Sequence, residues 1–207
     1  MDIFLTAGIV LGLSAGLSPG PLTTLVIAQA MQYGVREGLK VALAPLITDT
    51  PIVLLSVLVM TRLSNFHAVL GTISILGAFF LVYLAYSNFK ATKVNMTPDG
   101  TAPGSLGKGI LANFLSPYLY LFWMSVGAPY AVDAWTQSSY SMVGFFTGFY
   151  ACLVGSKMLL AVLAAKARRF LAGRAYGFVM RILGGLMLLF AFLLFRDAIA
   201  LLKLANP

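Results

Sequence analysis

The sequence predicts an all-α integral membrane protein with six transmembrane helices, arranged as two inverted-topology three-helix repeats whose first and fourth helices are broken. Three observations predict it. Hydrophobic residues make up 60% of the chain and charged residues 10%, with a mean hydropathy of +0.93. A chain of 207 residues cannot bury that much apolar surface in water, so its solvent is a bilayer. Six apolar segments follow one another along the chain, most of them long enough to span. Finally, Leu17-Ser18-Pro19 in the first segment recurs as Leu115-Ser116-Pro117 in the fourth. Three spans per half set the two copies in opposite orientation, the pattern in which paired broken helices build a midplane site.

The first segment, Ile3–Tyr33, would be roughly 45 Å long as one straight helix, against a hydrocarbon core of about 30 Å. Ser18-Pro19-Gly20-Pro21 interrupts it near its middle. Prolines there free carbonyls and leave the next half-helix with unpaired N–H groups, which lipid cannot satisfy. Such backbone survives only inside protein or against a polar cavity. The second segment, Gly38–Met60, carries Asp49 between Pro45 and Pro51. The third is Ala68–Phe89. A polar connection, Ala91–Leu106, holds Thr97-Pro98-Asp99-Gly100 and Pro103-Gly104 and reads as a flexible loop between the halves. The fourth segment, Gly107–Ala131, contains the second break; the fifth, Ser139–Ala165, carries Lys157; the sixth is Tyr176–Leu202. One domain, 1–207, is expected, with repeat 1 over about 1–90, the loop at 91–106 and repeat 2 over about 107–207.

The net charge of +8 follows the segment ends rather than a patch interleaved with exposed aromatics, which sets aside nucleic acid as a partner. Connections after segments one, three and five hold Arg36 and Lys40, then Lys90, Lys93 and Lys108, then Lys166, Arg168, Arg169, Arg174 and Arg181. The opposite side holds Arg62, Arg196 and Lys203. The positive-inside rule makes the basic connections cytoplasmic and puts both termini outside, in a multi-pass protein of the inner (plasma) membrane. Met1-Asp2 lacks the charged n-region of a cleavable signal, so the first segment is expected to remain. Cys152 is the one cysteine, a small buried hydrophobe rather than part of a disulfide or cluster. His67, beside Asn65, reads as a surface histidine. Without a glycine-rich phosphate loop, a metal-ligand cluster or a serine–histidine pair, the sequence predicts no cofactor, no metal site and no enzyme.

The residues that carry chemistry gather at the breaks and at two intramembrane charges. Ser18 is placed to N-cap a half-helix beginning at Pro19. The positive end of that half-helix favours an anionic group such as a carboxylate. Gly20 lets a ligand or neighbouring helix approach the backbone. Ser116 and Pro117 repeat the geometry, with Asn113 one turn earlier as an amide partner. The alternative is a plain structural kink. Asp49 is costly at midplane depth and is not expected to face lipid. Lys157 stands about nine residues, roughly 13 Å, from the basic end of its segment, a long way to snorkel. The two either form an ion pair, structural or not, or Asp49 binds a substrate ammonium or carries a coupling proton. Gly8, Gly12, Gly16 and Gly20 recur at spacing four, as do Gly144, Gly148, Cys152 and Ser156, which predicts close helix packing and leaves a homodimer open. Tyr118 and Tyr120 follow the second break and are candidate pocket residues; with them, Tyr83, Tyr86, Trp123, Tyr130 and Trp135 read mostly as interfacial-anchor candidates.

At these residues the chain resembles the LysE/RhtB family of amino-acid exporters. Ser18-Pro19-Gly20-Pro21 matches that family's first-span signature, and Gly34 through Asp49 resembles its glycine-spaced approach to an acidic residue. Gly77-Ala78-Phe79-Phe80-Leu81-Val82-Tyr83-Leu84 is similar to its third span and Arg181-Ile182-Leu183-Gly184 to the start of its last. Two positions depart. Tyr118 stands where the family usually has lysine after Asn-Pro, here Ser116-Pro117, and Pro45 replaces a small residue. The resemblance implies outward transport of small amino acids or related metabolites against proton or cation entry. In a secondary exporter of that kind the cargo carboxylate is expected at Ser18–Pro21 and Ser116–Pro117, with Asp49 contacting the ammonium or carrying the coupling proton. The alternatives are a cation or metal-ion exporter and a non-transporting accessory or scaffold protein; the latter predicts a sealed midplane around Pro19 and Pro117.

Overall fold

A main chain in hydrocarbon must satisfy its own hydrogen bonds, and helices do so within a single segment. In the computed structural model, which describes residues 3–59, 66–90, 104–170 and 174–205, all regular structure among the described residues is helical. Helices α1 (Ile3–Leu17) and α2 (Pro21–Tyr33) are the halves of the first segment, bent by 62° across the break. Helices α3 (Val35–Ala42) and α4 (Ala44–Val59) make up the second, and α5 (Phe66–Lys90) the third. The fourth comprises α6 (Ser105–Phe114), α7 (Pro117–Phe122), a π-helical turn (Trp123–Gly127) and α8 (Ala128–Gln137), bent by 58° at its break. Helices α9 (Ser139–Phe170) and α10 (Arg174–Ala205) complete the chain.

By length and apolarity, α9 and α10 each reach across a bilayer, and the two bent pairs raise the number to four spans. Helix α5 is 25 residues long, and the part of it whose side chains are described, Gly71–Tyr86, is apolar. The second segment is cut at Leu43 instead of running unbroken from Gly38, because Pro45 has no N–H to give Val41 and its ring crowds that carbonyl. The helix restarts with Leu46 N donating to Leu43 O at 3.1 Å. Ser105 and Leu106 already belong to α6, which opens on Gly104 at φ +59°, a left-handed conformation suited to glycine. Lys166, Arg168 and Arg169 continue α9 instead of forming a connection. Residues 91–103 of the expected loop and Asn65 lie outside the described residues, as does the His67 side chain.

Helix α1 packs along α9, and α5 along α10. A Cβ at Gly8 would strike the Phe145 carbonyl oxygen, one at Gly12 the Phe149 carbonyl oxygen, and one at Gly16 the Ser156 hydroxyl. On the facing helix, a Cβ at Gly148 would stand only 2.8 Å from the Leu5 carbonyl oxygen. Backbone-to-backbone approach of this kind is what small residues permit in lipid. Gly8, Gly12, Gly16 and Gly148 are therefore used for packing within the chain. Two apolar clusters result. One surrounds α2, where Leu25, Val26, Ala28 and Ala30 pack against Val41, Ala44, Ala161 and Met187. The other gathers Trp123, Phe145 and Phe149 with Ile52 and Tyr120.

Candidate functional site

The first break is built two residues later than the sequence pattern implies. Ser18 N donates to Ser14 O at 3.0 Å, which closes α1. Helix α2 starts at Pro21, whose missing N–H costs little at the first helical position. Gly20, not Ser18, occupies the N-cap position, and no side chain caps the helix. Thr23 Oγ1 donates to Ser18 O, and Thr24 Oγ1 joins its own N–H on Gly20 O, both hydroxyl bonds at 2.9 Å. The first N–H groups of α2 keep no helical partner, as at any helix start. At the second break Ser116 does hold the N-cap position and Pro117 is the first helical residue, although the Ser116 hydroxyl makes no capping bond. Tyr120 Oη donates to Phe114 O at 2.9 Å.

Each intramembrane charge is held by the broken helix of the opposite half. Asp49 is 2% exposed, and its Oδ1 accepts from Thr48 Oγ1 and Asn113 Nδ2, both at 3.1 Å. Asn113 Nδ2 also donates to Thr48 Oγ1 at 2.6 Å. Lys157 is 4% exposed and donates to Thr23 Oγ1 at 2.9 Å and to Gly16 O at 3.2 Å. A cation there meets the negative end of α1. Among the described residues no salt-bridge contact joins Asp49 to Lys157, although each charge acts on the other. Both of the Asp49 bonds, from Thr48 and from Asn113, go to Oδ1 and neither reaches Oδ2.

A cavity of about 520 Å³ lies between the two breaks, a size suited to a small molecule. Ser18, Pro19, Gly20, Pro21, Asp49, Asn113, Ser116, Tyr118 and Lys157 line it, together with Ser14, Thr23, Pro45, Phe122, Phe149 and Phe190. Pro117 and Tyr120 do not; both are buried in packing. Gly20 opens directly onto the cavity, since a Cβ there would meet nothing within 4 Å. Tyr118 donates its hydroxyl to Asp197 Oδ2 at 2.7 Å, and Arg196 pairs with the other Asp197 oxygen at 3.2 Å. Sequence reasoning missed Asp197, which no motif links to a tyrosine 79 positions away.

Outside the cavity lining, Ser105 Oγ donates to buried Gln29 Oε1 at 2.8 Å, joining α6 to α2. In α3, Lys40 pairs with Glu37 at 2.6 Å. Burial pushes the Glu37 carboxyl up, but the hydrogen bond and the charge of Lys40, with the Ser105 hydroxyl close by, outweigh it and hold the group below its ordinary value.

A family model described as LysE type translocator matches residues 13–198. The chain belongs to that family. The match runs from the middle of α1 into α10, so both breaks and both charges of this LysE type translocator fall inside it. Membership agrees with the apolar helices in making it a membrane transport protein. No curated protein and no solved structure matches the chain. Where the family resemblance implies lysine, Tyr118 directs a hydroxyl to Asp197 instead of a cation into the cavity.

Proposed function

We propose that this translocator is a secondary exporter of amino acids or related small metabolites across the cytoplasmic membrane, coupled to proton or cation entry. The observation that carries the reading is the pairing of opposite charges on one cavity wall without a bond between them. Asp49 presents an oxygen that neither Thr48 nor Asn113 reaches, and Lys157 together with the start of α2 presents donors. A zwitterion fits that arrangement, its ammonium on Asp49 and its carboxylate at Ser18–Pro21, Ser116 and Lys157. A hard divalent cation would find one carboxylate, too few oxygens for its usual shell.

The exchange of partners between halves supports an inverted repeat of six spans. Asp49 of the second span reaches Asn113 in the fourth, and Lys157 of the fifth reaches Gly16 and Thr23 in the first. With basic connections cytoplasmic, the cavity lies toward the outside of the breaks, since Leu11, Ser14 and Leu193 line it. The cytoplasmic side is then closed by α2, of which only Ile27 among residues 21–32 escapes burial. We read this as the outward-facing state of alternating access. The scaffold reading expects a sealed midplane; Pro117 is buried, but Pro19 is exposed on the cavity. The test is efflux from cells preloaded with each standard amino acid in turn, with and without the protein. Faster efflux of at least one compound supports export; no difference for any of them favours the scaffold.

A further inference from the structure

We propose that Trp123 is a positioning residue for Asp49, its indole N–H being a donor that closes on the carboxylate in a different step of the cycle from the one seen here. The inference rests on the reading of Asp49 as the cargo- or proton-handling group and adds the device that registers its state.

Trp123 is completely buried, yet its Nε1 has no hydrogen-bond partner. Buried donors are nearly always satisfied, so an orphan in a tightly packed core calls for a cause. The indole N–H lies beside the Asp49 carboxylate, near enough to act on it yet outside hydrogen-bond geometry, across the contact between α4 and the π-helical turn, where Ile52 shares a cluster with Trp123. The ring is held there from several directions. Phe122 and Phe149 meet it edge-on, with centroids at 5.5 and 5.3 Å, and Phe146 stacks on it at 6.1 Å. Against it lies Gly127, where a Cβ would collide with the ring. The π-helical turn spans Trp123 to Gly127, and single π turns inside α-helices recur at functional sites. A phenylalanine would serve this cage equally well as filler. The polar edge of the indole is what packing alone does not explain.

Asp49 supplies the complement. Thr48 and Asn113 both donate to Oδ1, and neither reaches Oδ2. An unused donor thus stands beside an oxygen that neither bond uses. A cargo ammonium or a proton on Oδ2 competes with the indole for that oxygen. When the proton leaves Oδ2, the bare carboxylate draws the N–H in, and a cargo ammonium arriving on that oxygen displaces it.

The experiment labels the indole nitrogens with nitrogen-15 in protein held in lipid nanodiscs. The chain has two tryptophans, so Trp135→Phe leaves the Trp123 N–H as a single resonance. Adding Asp49→Asn, nearly isosteric but uncharged, should move that resonance; an unmoved one overturns the proposal. In the efflux assay, Trp123→Phe keeps an aromatic ring and removes the donor. It should lower the maximal rate about tenfold, as expected for a lost hydrogen bond to a charged group, with a smaller change in the half-saturating concentration. Phe146→Leu, which trims the cage and keeps the donor, should retain most of the rate. Wild-type efflux by Trp123→Phe, or an equal loss in both variants, overturns the proposal. If the wild-type protein exports none of the twenty amino acids, the transport reading fails, whereas the resonance comparison still decides the Trp123–Asp49 contact.

Discussion

Gly12 and Gly20 belong to one spacing-four stripe, and the structure gives them opposite tasks. At Gly12 a methyl group would meet the carbonyl oxygen of Phe149 and stand 3.0 Å from its carbonyl carbon and Cα. Backbone cannot rotate away as a side chain can, so α1 and α9 must separate. Overpacking of this kind costs about 1–3 kcal/mol, occasionally more, against a helix-propensity gain for alanine of up to about 1 kcal/mol. Gly12→Ala should therefore destabilise the protein. At Gly20 the backbone is extended, with φ −171°, which any residue adopts, and a Cβ meets open space. Loss of a glycine cap costs about 0.5–1 kcal/mol, while reduced freedom of the unfolded chain returns about 0.4–1 kcal/mol. Gly20→Leu should thus leave stability nearly unchanged and fill part of the 520 Å³ cavity. Thermal unfolding in nanodiscs followed by size-exclusion, beside efflux, separates the two effects. Gly12→Ala is expected to lower the unfolding temperature, and Gly20→Leu to keep it but lose efflux. A Gly20→Leu protein with full efflux, or a Gly12→Ala protein as stable as wild type, would refute the reasoning.

Lys157→Met keeps the side-chain length and removes the cation that satisfies Gly16 O and Thr23 Oγ1. A buried carbonyl left without a donor costs about 1–3 kcal/mol, so the variant should unfold at lower temperature and export poorly, and unchanged values of both would remove Lys157 from the account. In a Cys152→Ser background, Ser14→Cys should react with a membrane-impermeant thiol reagent added outside, whereas Gln29→Cys should stay protected; the reverse pattern would contradict an outward-facing cavity. The folded Glu37 carboxyl lies below its ordinary 4.5, so the stability it contributes is present above that pH and is lost as pH falls through the lower folded value. The unfolding-temperature difference between wild type and Glu37→Gln should shrink below about pH 4.5, and a difference that grows there would reverse the sign.

The parts of the site that come from local chemistry were legible in the sequence. Two prolines and a glycine within four residues must break a helix wherever they fall, and a carboxylate or ammonium in an apolar run must find polar company. What could not be read depends on side chains meeting across the chain. The helix restarts at Pro21 rather than Pro19, with Gly20 extended before it and Thr23 reaching back to the Ser18 carbonyl. The split at Leu43 follows from Pro45, whose effect on the preceding turn could have been anticipated. Nothing local ties Tyr118 to Asp197 or turns Trp123 toward Asp49, and a π-helical turn carries no composition signal. Gly20 shares its spacing with Gly8, Gly12 and Gly16, yet the 62° bend takes it off their packed face.

The central claim is that Asp49 handles a cargo ammonium or a coupling proton in the cavity between the breaks. It is tested most directly with purified protein in proteoliposomes preloaded with the amino acid that gives the fastest cellular efflux. Wild type should release it on imposition of an inward proton gradient, and Asp49→Asn, equally folded by thermal unfolding, should release it no faster than empty liposomes. Wild-type release by Asp49→Asn would contradict the account.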